Sequence, residues 1–214
     1  MTLTNFEELV PKIEKIALPG IEAQFKLAPE IRKILGKKVN LSKRNPKHAA
    51  VLSLLFPDTN NEMQMVFMLR KTYEGVHSNQ IGFPGGKLEK EDENLKITAL
   101  RETHEEIGVA AKDITILKKM TEVYIPPSNF LVVPFLGVVS KKPEYILQEN
   151  EVERIIEIPL KHVLSDDFIT TKTITTSYAT SLEVPVFEFQ DEVIWGATAM
   201  MLSEIKDLFL SVNY

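Results

Sequence analysis

The chain has no cysteine among its 214 residues. This absence excludes disulfides, thiolate zinc sites and a cysteine nucleophile, so carboxylates and four histidines are the metal ligands available. Long hydrophobic runs are also lacking, because no apolar stretch approaches the roughly 20 residues that a membrane span needs. The first ten residues have neither a basic start nor a hydrophobic signal core. We therefore expect a cytoplasmic protein that has no membrane partner.

Positive charge is in deficit, since 25 Lys and Arg residues stand against 30 Asp and Glu residues and the net charge is -5. This balance disfavours nucleic acid as a partner, and a phosphorylated small molecule would need local cations or a bound metal. The exception is a stretch between residues 31 and 48 with seven basic residues and no acid: Arg32, Lys33, Lys37, Lys38, Lys43, Arg44 and Lys47. Such a stretch is either a solvated surface or an anion-binding patch.

The apolar pattern predicts a domain over residues 48–214, preceded by a helical extension over residues 1–47. An apolar content of 44% is sufficient for a core of ordinary size. In the extension, apolar residues recur at helical intervals over residues 6–16, and Pro11 is expected to shorten that helix.

Within the domain, the apolar runs AAVLSLLF and MQMVFML are separated by the turn-forming sequence PDTNNE and predict a hairpin of buried strands. Helical spacing follows from about Glu93 to Ile107, where Gly108 is typical of a helix end. Strand-like segments and a final helix over about 197–210 complete the chain. This order predicts an α+β fold with helices on both faces of a mixed β-sheet.

Three glutamates, Glu102, Glu105 and Glu106, are three and four positions apart on the helix predicted over residues 93–107 and therefore project to one side. The residues that can pack on a sheet fall on another face: Leu100, Thr103 and Ile107. Like-charge repulsion disfavours three adjacent carboxylates unless a cation lies between them, and hard oxygen ligands suit Mg²⁺ or Mn²⁺. The alternative is a solvated acidic helix face.

The glutamates lie inside GFPGGKLEKEDENLKITALRETHEEIGV, which resembles the Nudix box: a glycine, an acid several positions on, Arg-Glu, two residues, Glu-Glu, one residue and a glycine. Thr103 stands where the pattern normally has an aliphatic side chain. One extra residue separates Gly86 and Asp92 from Arg101, and the coenzyme A pyrophosphatase branch of Nudix hydrolases is similar in this respect. The resemblance implies the Nudix fold, an α/β/α sandwich around a mixed β-sheet.

A second segment, MLRKTYEGVHSNQIGFPGG, is similar to a further signature of that branch. The resemblance implies that Arg70, His77 and Gln80 bind the substrate, although His77 could equally serve only to fix its loop. Asn79 replaces the usual glycine of the signature, and asparagine tolerates a left-handed backbone better than most residues.

The resemblance implies an enzyme that hydrolyses the diphosphate of coenzyme A or its derivatives to 3′-phospho-AMP and 4′-phosphopantetheine. Mg²⁺ or Mn²⁺ would be held by the three glutamates and by a carbonyl oxygen of Gly85 or Gly86, with Arg101 and Glu105 in catalytic roles. The rival interpretations are a Nudix pyrophosphatase for NADH or ADP-ribose and a binding module of the same fold without turnover. A homodimer is left open.

A metal-bound glutamate could take the proton of the attacking water. In many Nudix hydrolases, which this sequence resembles, a carboxylate on a separate loop does so, and in ENEVERIIEIPL we favour Glu151 over Glu149 and Glu153. His104 is expected at the surface. Trp195 is interpreted as a packed aromatic, with substrate stacking as the alternative.

Overall fold

The computed structural model describes residues 1–30, 32–33, 41–71, 80–175 and 181–212. The helices are α1 (Leu3–Lys15), α2 (Ile21–Lys26), α3 (Leu95–Ile107), α4 (Leu160–Val163) and α5 (Gly196–Ser211), with 3-10 turns at Leu41–Lys43 and Ala111–Asp113. The strands are β1 (Lys47–Pro57), β2 (Met63–Arg70), β3 (Ile81–Gly82), β4 (Gly85–Lys87), β5 (Thr115–Lys119), β6 (Val123–Ile125), β7 (Phe130–Val138), β8 (Val152–Pro159), β9 (Ile169–Ile174), β10 (Leu182–Phe189) and β11 (Glu192–Ile194).

Strand β1 is the organising strand of an eight-stranded sheet. It pairs in parallel with β7 and antiparallel with β2 and β4, while β3 and β8 flank β2 and β5 and β6 flank β7. A separate antiparallel sheet contains β9, β10 and β11. The predicted hairpin and the predicted α+β class are therefore confirmed.

Helices cover both faces of the large sheet because β1 alternates its side chains between two hydrophobic clusters. Leu52 and Leu54 of β1 pack with Ala99 of α3 in one cluster. Leu55 lies in the other, which also contains Phe6 of α1 and residues of α5. This arrangement is the predicted α/β/α sandwich.

Helix α1 continues through Pro11 and ends at Lys15, so the expected shortening does not occur. Proline removes one backbone hydrogen bond from a helix interior. Burial of Phe6, Leu9 and Ile13 offsets that loss, because each of these side chains is at most 8% exposed.

Helix α2 is attached to α5 through buried polar groups. The side chain of Gln24 donates hydrogen bonds from Nε2 to Glu204 Oε2 at 3.0 Å and to the Thr121 carbonyl oxygen at 2.9 Å. The backbone N–H of Gly20 donates to Glu204 Oε1 at 3.2 Å. Gln24 and Glu204 are 1% and 0% exposed, so these bonds form away from water. Helices α1 and α2 thus pack on the body of the protein, and the division at residue 47 stays a prediction.

Along the part of the chain that the structure describes, no helix is both long and apolar enough to cross a membrane.

Candidate functional site

Helix α3 carries the three glutamates, and local sequence sets both of its ends. Asn94 caps the N-terminus by accepting hydrogen bonds from the backbone N–H groups of Lys96 and Ile97. The helix therefore begins two residues later than predicted. Gly108 ends it in the left-handed conformation, with φ of 78°. Thr103 is buried, and its hydroxyl donates to the Ala99 carbonyl oxygen at 2.7 Å, which explains how a polar residue occupies an aliphatic position.

Glu106 is the most buried of the three glutamates, with 2% of its surface exposed. Its Oε2 accepts a 2.7 Å hydrogen bond from the backbone N–H of Gly85, and its Oε1 lies 3.4 Å from Nη2 of Arg70. Burial raises the pKa of Glu106 to about 7, and the negative charges of Glu102 and Glu151 add to this effect. The site therefore holds a carboxylate whose charge is only partly compensated.

Gly86 and Glu102 are in close approach across the β4–α3 contact. A Cβ atom added at Gly86 would lie 2.4 Å from Oε1 of Glu102, so only glycine leaves room for that carboxylate. Burial also raises the pKa of Glu102. The carbonyl oxygen of the neighbouring Gly85 accepts a 2.9 Å hydrogen bond from Arg70 Nη2. The sequence predicts a metal ligand from the carbonyl oxygen of either Gly85 or Gly86. The Gly85 oxygen already accepts the hydrogen bond from Arg70.

Arg101 is held by Asp92, which lies six positions after Gly86. Its Nε and Nη2 donate to the two carboxylate oxygens of Asp92 at 3.0 and 2.9 Å. These bonds hold the pKa of Asp92 well below its ordinary range. The third nitrogen, Nη1, lies 2.8 Å from Glu105 Oε2 and 3.1 Å from Glu102 Oε1. Arg101 therefore fixes the positions of two of the predicted metal ligands.

The predicted ligands are not assembled as a single cluster. Among the residues that the structure describes, no group of three or more acidic or histidine side chains is arranged to hold a metal ion. Glu105 is turned towards Arg101 with its side chain 53% exposed, whereas Glu106 faces Gly85. His104 is exposed, as expected.

Glu151 lies within electrostatic reach of the other two carboxylates, because its charge raises the pKa of both Glu102 and Glu106. It sits in the turn before β8, where its N–H donates to the Gln148 carbonyl oxygen at 3.0 Å. Its carbonyl oxygen accepts from Lys71 N–H at 2.9 Å, which joins this turn to the end of β2. The fold thus brings a residue 43 positions beyond Gly108, the last residue of the box, close to the box glutamates.

A cavity of about 860 Å³ opens beside the glycines. Its walls include four residues that the sequence assigned to the site: Arg70, Gln80, Gly85 and Gly86. Half-buried Trp195 also lines it, so this ring is placed where it could contact a ligand as well as pack. The predicted contact His77 lies outside the described residues.

The cavity also has a wall that sequence reasoning missed. Phe25, Pro29 and Arg32, which precede the predicted domain, face the same space as the glycines. For Arg32 the available signal was the basic stretch, interpreted as either surface or anion-binding. For the two apolar residues no motif or spacing pointed to a site.

Comparisons with known proteins show the family of the chain. The model of the NUDIX domain matches residues 46–175. A peroxisomal coenzyme A diphosphatase, ndx-8 of Caenorhabditis elegans, is 29% identical over 177 residues, which cover 81% of this chain and 74% of that protein. The mitochondrial Nudix hydrolase 15 of Arabidopsis thaliana is 29% identical over 163 residues, covering 73% of this chain and 56% of that protein. The chain thus spans just over half the length of the plant relative.

Solved structures are similar in fold. A Nudix hydrolase from M. Smegmatis, RenU, has a TM-score of 0.54 at 12% identity, covering 79% of this chain and 89% of its own. A MutT/nudix family protein from Enterococcus faecalis has a TM-score of 0.51 at 14% identity, and the match covers 84% of this chain and 73% of that protein.

The chain belongs to the Nudix family, since the family model matches more than half of it. It is a hydrolase that acts on a pyrophosphate bond in a small molecule, as the box predicted.

Proposed function

We propose that the substrate is coenzyme A or one of its derivatives, which the enzyme hydrolyses to 3′-phospho-AMP and 4′-phosphopantetheine. The observation that carries this proposal is the cavity beside the box. Arg70, Gln80 and the glycines of the second signature line it together, and its volume is within the range of small-molecule sites. The similarity to the nematode coenzyme A diphosphatase supports the same substrate.

The residues at the box fit a divalent cation, Mg²⁺ or Mn²⁺. Glu102 and Glu106 are oxygen donors with raised pKa values, and the charge of Glu102 contributes to the rise at Glu106. Glu105 would join them by a rotamer change that releases Arg101. Gly86, whose Cα lies against the Glu102 carboxylate, would offer its carbonyl oxygen as a further ligand. A bound cation would supply positive charge to the diphosphate and activate water there.

The remaining residues would position the substrate and move a proton. Arg70 would place its charge beside the diphosphate while it supports Glu106. Arg101 would act by holding Glu102 and Glu105 in place. Glu151 is the preferred base, because it is exposed and its charge acts on both Glu102 and Glu106.

Product identification tests the substrate. The full chain is incubated with coenzyme A and Mg²⁺, and mass spectrometry is expected to detect equal amounts of the two phosphorylated halves. Removal of the metal with a chelator should stop the reaction. Products from NADH or ADP-ribose with none from coenzyme A would instead support the rival substrate class, and no turnover of any diphosphate would support the binding module.

A pH-rate profile tests the base. Replacement Glu151→Gln should lower kcat on the order of a hundredfold and abolish the acidic limb of the profile, while Glu149→Gln should leave both unchanged. An unchanged profile in the Glu151 variant would exclude it as the base. A cytoplasmic location and a homodimer stay predictions.

A further inference from the structure

Arg32 is a cation in the wall of the cavity that the proposed reaction does not use. It lines the space, and its Nη2 donates a hydrogen bond to the Tyr124 carbonyl oxygen on β6. The next residue, Lys33, is not among the cavity-lining residues and pairs with Glu30 at 3.2 Å. Two adjacent cations of the basic stretch thus have different positions, and one of them faces the substrate space.

The sheet register shows that this cation is remote from the box. Gly86 on β4 is paired with Ala50 on β1, which is paired with Val133 on β7. Tyr124 on β6 is paired with Leu131 of β7. Three strand spacings therefore separate β4 from β6, roughly 14 Å. A ligand that contacts both the box glycines and Arg32 must carry a second polar group well away from its diphosphate.

The charges of the lining favour an anion at that second position. Among the described lining residues, three are cationic and one is acidic: Arg32, Arg70, Lys87 and Glu122. The charge of Arg70 is directed to Glu106 at the box. Arg32 places positive charge at the opposite wall, and the cavity lining also includes Phe25 and Tyr124, whose rings a planar base can contact.

The wall is fixed before any ligand binds. Helix α2, which carries Phe25, is held by the buried bonds of Gln24 and Gly20 to Glu204. The Ala23 carbonyl oxygen accepts a further buried bond from the Ser203 hydroxyl at 2.7 Å. A rigid wall lowers the entropy lost when a ligand is bound, so a charge on it can contribute to selectivity.

Resting on the proposed coenzyme A activity, we infer that Arg32 binds the 3′-phosphate of the substrate, with Phe25 and Tyr124 beside the adenine. The basic stretch is then an anion-binding patch at Arg32 and solvated surface at Lys33. This assignment distinguishes coenzyme A from diphosphates without a 3′-phosphate, such as ADP-ribose.

The test measures KM and kcat for coenzyme A and dephospho-coenzyme A in the full chain with Mg²⁺. Arg32→Gln should raise KM for coenzyme A on the order of tenfold, leave KM for dephospho-coenzyme A within about twofold, and leave kcat unchanged for both. Arg32→Lys should retain part of the preference. Lys33→Gln is the matched control and should behave as the wild type. An equal rise for both substrates, or no rise for either, overturns the inference.

A binding measurement separates this inference from the proposed function. Calorimetry with 3′-phospho-AMP and with AMP needs no turnover. The wild type should bind 3′-phospho-AMP about tenfold more tightly, and Arg32→Gln should bind both equally. If the wild type has no such preference, the inference fails even when coenzyme A is hydrolysed. If the preference is present but coenzyme A is not hydrolysed, the proposed reaction fails and the phosphate site stands.

Discussion

The two walls of the cavity are built differently. In the box wall, Gly85, Gly86 and Lys87 line the cavity, and their strand β4 packs against α3, the helix that follows it in the sequence. The opposite wall depends on contacts such as Arg32 with Tyr124 and Gln24 with Glu204, which join residues 92 and 180 positions apart. In the proposed function, the first wall carries the chemistry and the second shapes the space around the substrate. Variants at each wall should therefore affect different measured quantities.

The largest effect is expected at the box. Glu106→Gln keeps the shape of the side chain but removes its charge, so kcat should fall roughly a thousandfold, since several kcal/mol of charge stabilisation depend on the metal site. Because burial disfavours the ionised form, the thermal midpoint should not fall at pH 8. Turnover and thermal unfolding measured on the same preparation check both points. A variant with the wild-type rate would contradict the metal-ligand assignment.

Glycine variants compare two positions in the same cavity. Gly86→Ala brings a Cβ atom to 2.4 Å from the Glu102 carboxylate, so this side chain must move and kcat should fall on the order of a hundredfold. Gly82→Ala is the control, because its Cβ would meet the Thr198 hydroxyl at an ordinary 3.8 Å. Steady-state kinetics should show a kcat near the wild-type value for the control. Similar losses in both would indicate a general effect on the strands.

Asp92→Asn tests how much the ion pair between Asp92 and Arg101 contributes to the stability of the fold. Loss of the charged partner of Arg101 should lower the free energy of unfolding by about 2 kcal/mol at pH 7. Because the folded pKa of Asp92 lies below its ordinary value of 3.8, this stabilisation is present above that pH and is lost as the pH falls. Urea unfolding from pH 7 to pH 3 should show the gap between wild type and variant shrinking.

The control for Asp92 is Glu105→Gln, which removes the other, exposed partner of the same arginine. This variant should change the free energy of unfolding by less than about 0.5 kcal/mol, because exposed ion pairs contribute little. Equal destabilisation by both variants would contradict the stabilising role assigned to the buried pair of Asp92 and Arg101.

The smallest effect on kcat is expected at the opposite wall. Gln24→Ala removes buried donors to Glu204 and Thr121 and should lower the free energy of unfolding by about 2 kcal/mol. The wall loosens, so KM should rise severalfold while kcat is retained. Lys26→Ala on the same helix breaks only the exposed pair with Asp207, and we expect about 0.5 kcal/mol or less. Denaturant titration and kinetics on the two variants measure the difference.

Much of the fold could be predicted from the sequence because its elements have strong local patterns. The hairpin, the helix ending at Gly108 and the terminal helix all occur, with ends shifted by one or two residues. The persistence of α1 through Pro11 could not be predicted, since it depends on burial against distant residues. The backbone of Phe-Pro-Gly-Gly could not be predicted in detail either. Gly85 and Gly86 belong to strand β4, and the chain bends before them, at Pro84.

By itself, the sequence determined the chemistry, because a helical period places Glu102 and Glu106 on one side of α3 whatever surrounds the helix. The tertiary structure decided how those groups are held. Asp92 forms hydrogen bonds with Arg101, and Gly85 and Arg70 contact Glu106. Glu151, from a different loop, adds its charge near Glu106. The tertiary structure also decided that Arg32, among the described cations of the basic stretch, lines the cavity. The physical reason is the sequence distance over which each feature is set. Helical spacing depends on residues a few positions apart, whereas a cavity wall forms only when segments distant in sequence pack together.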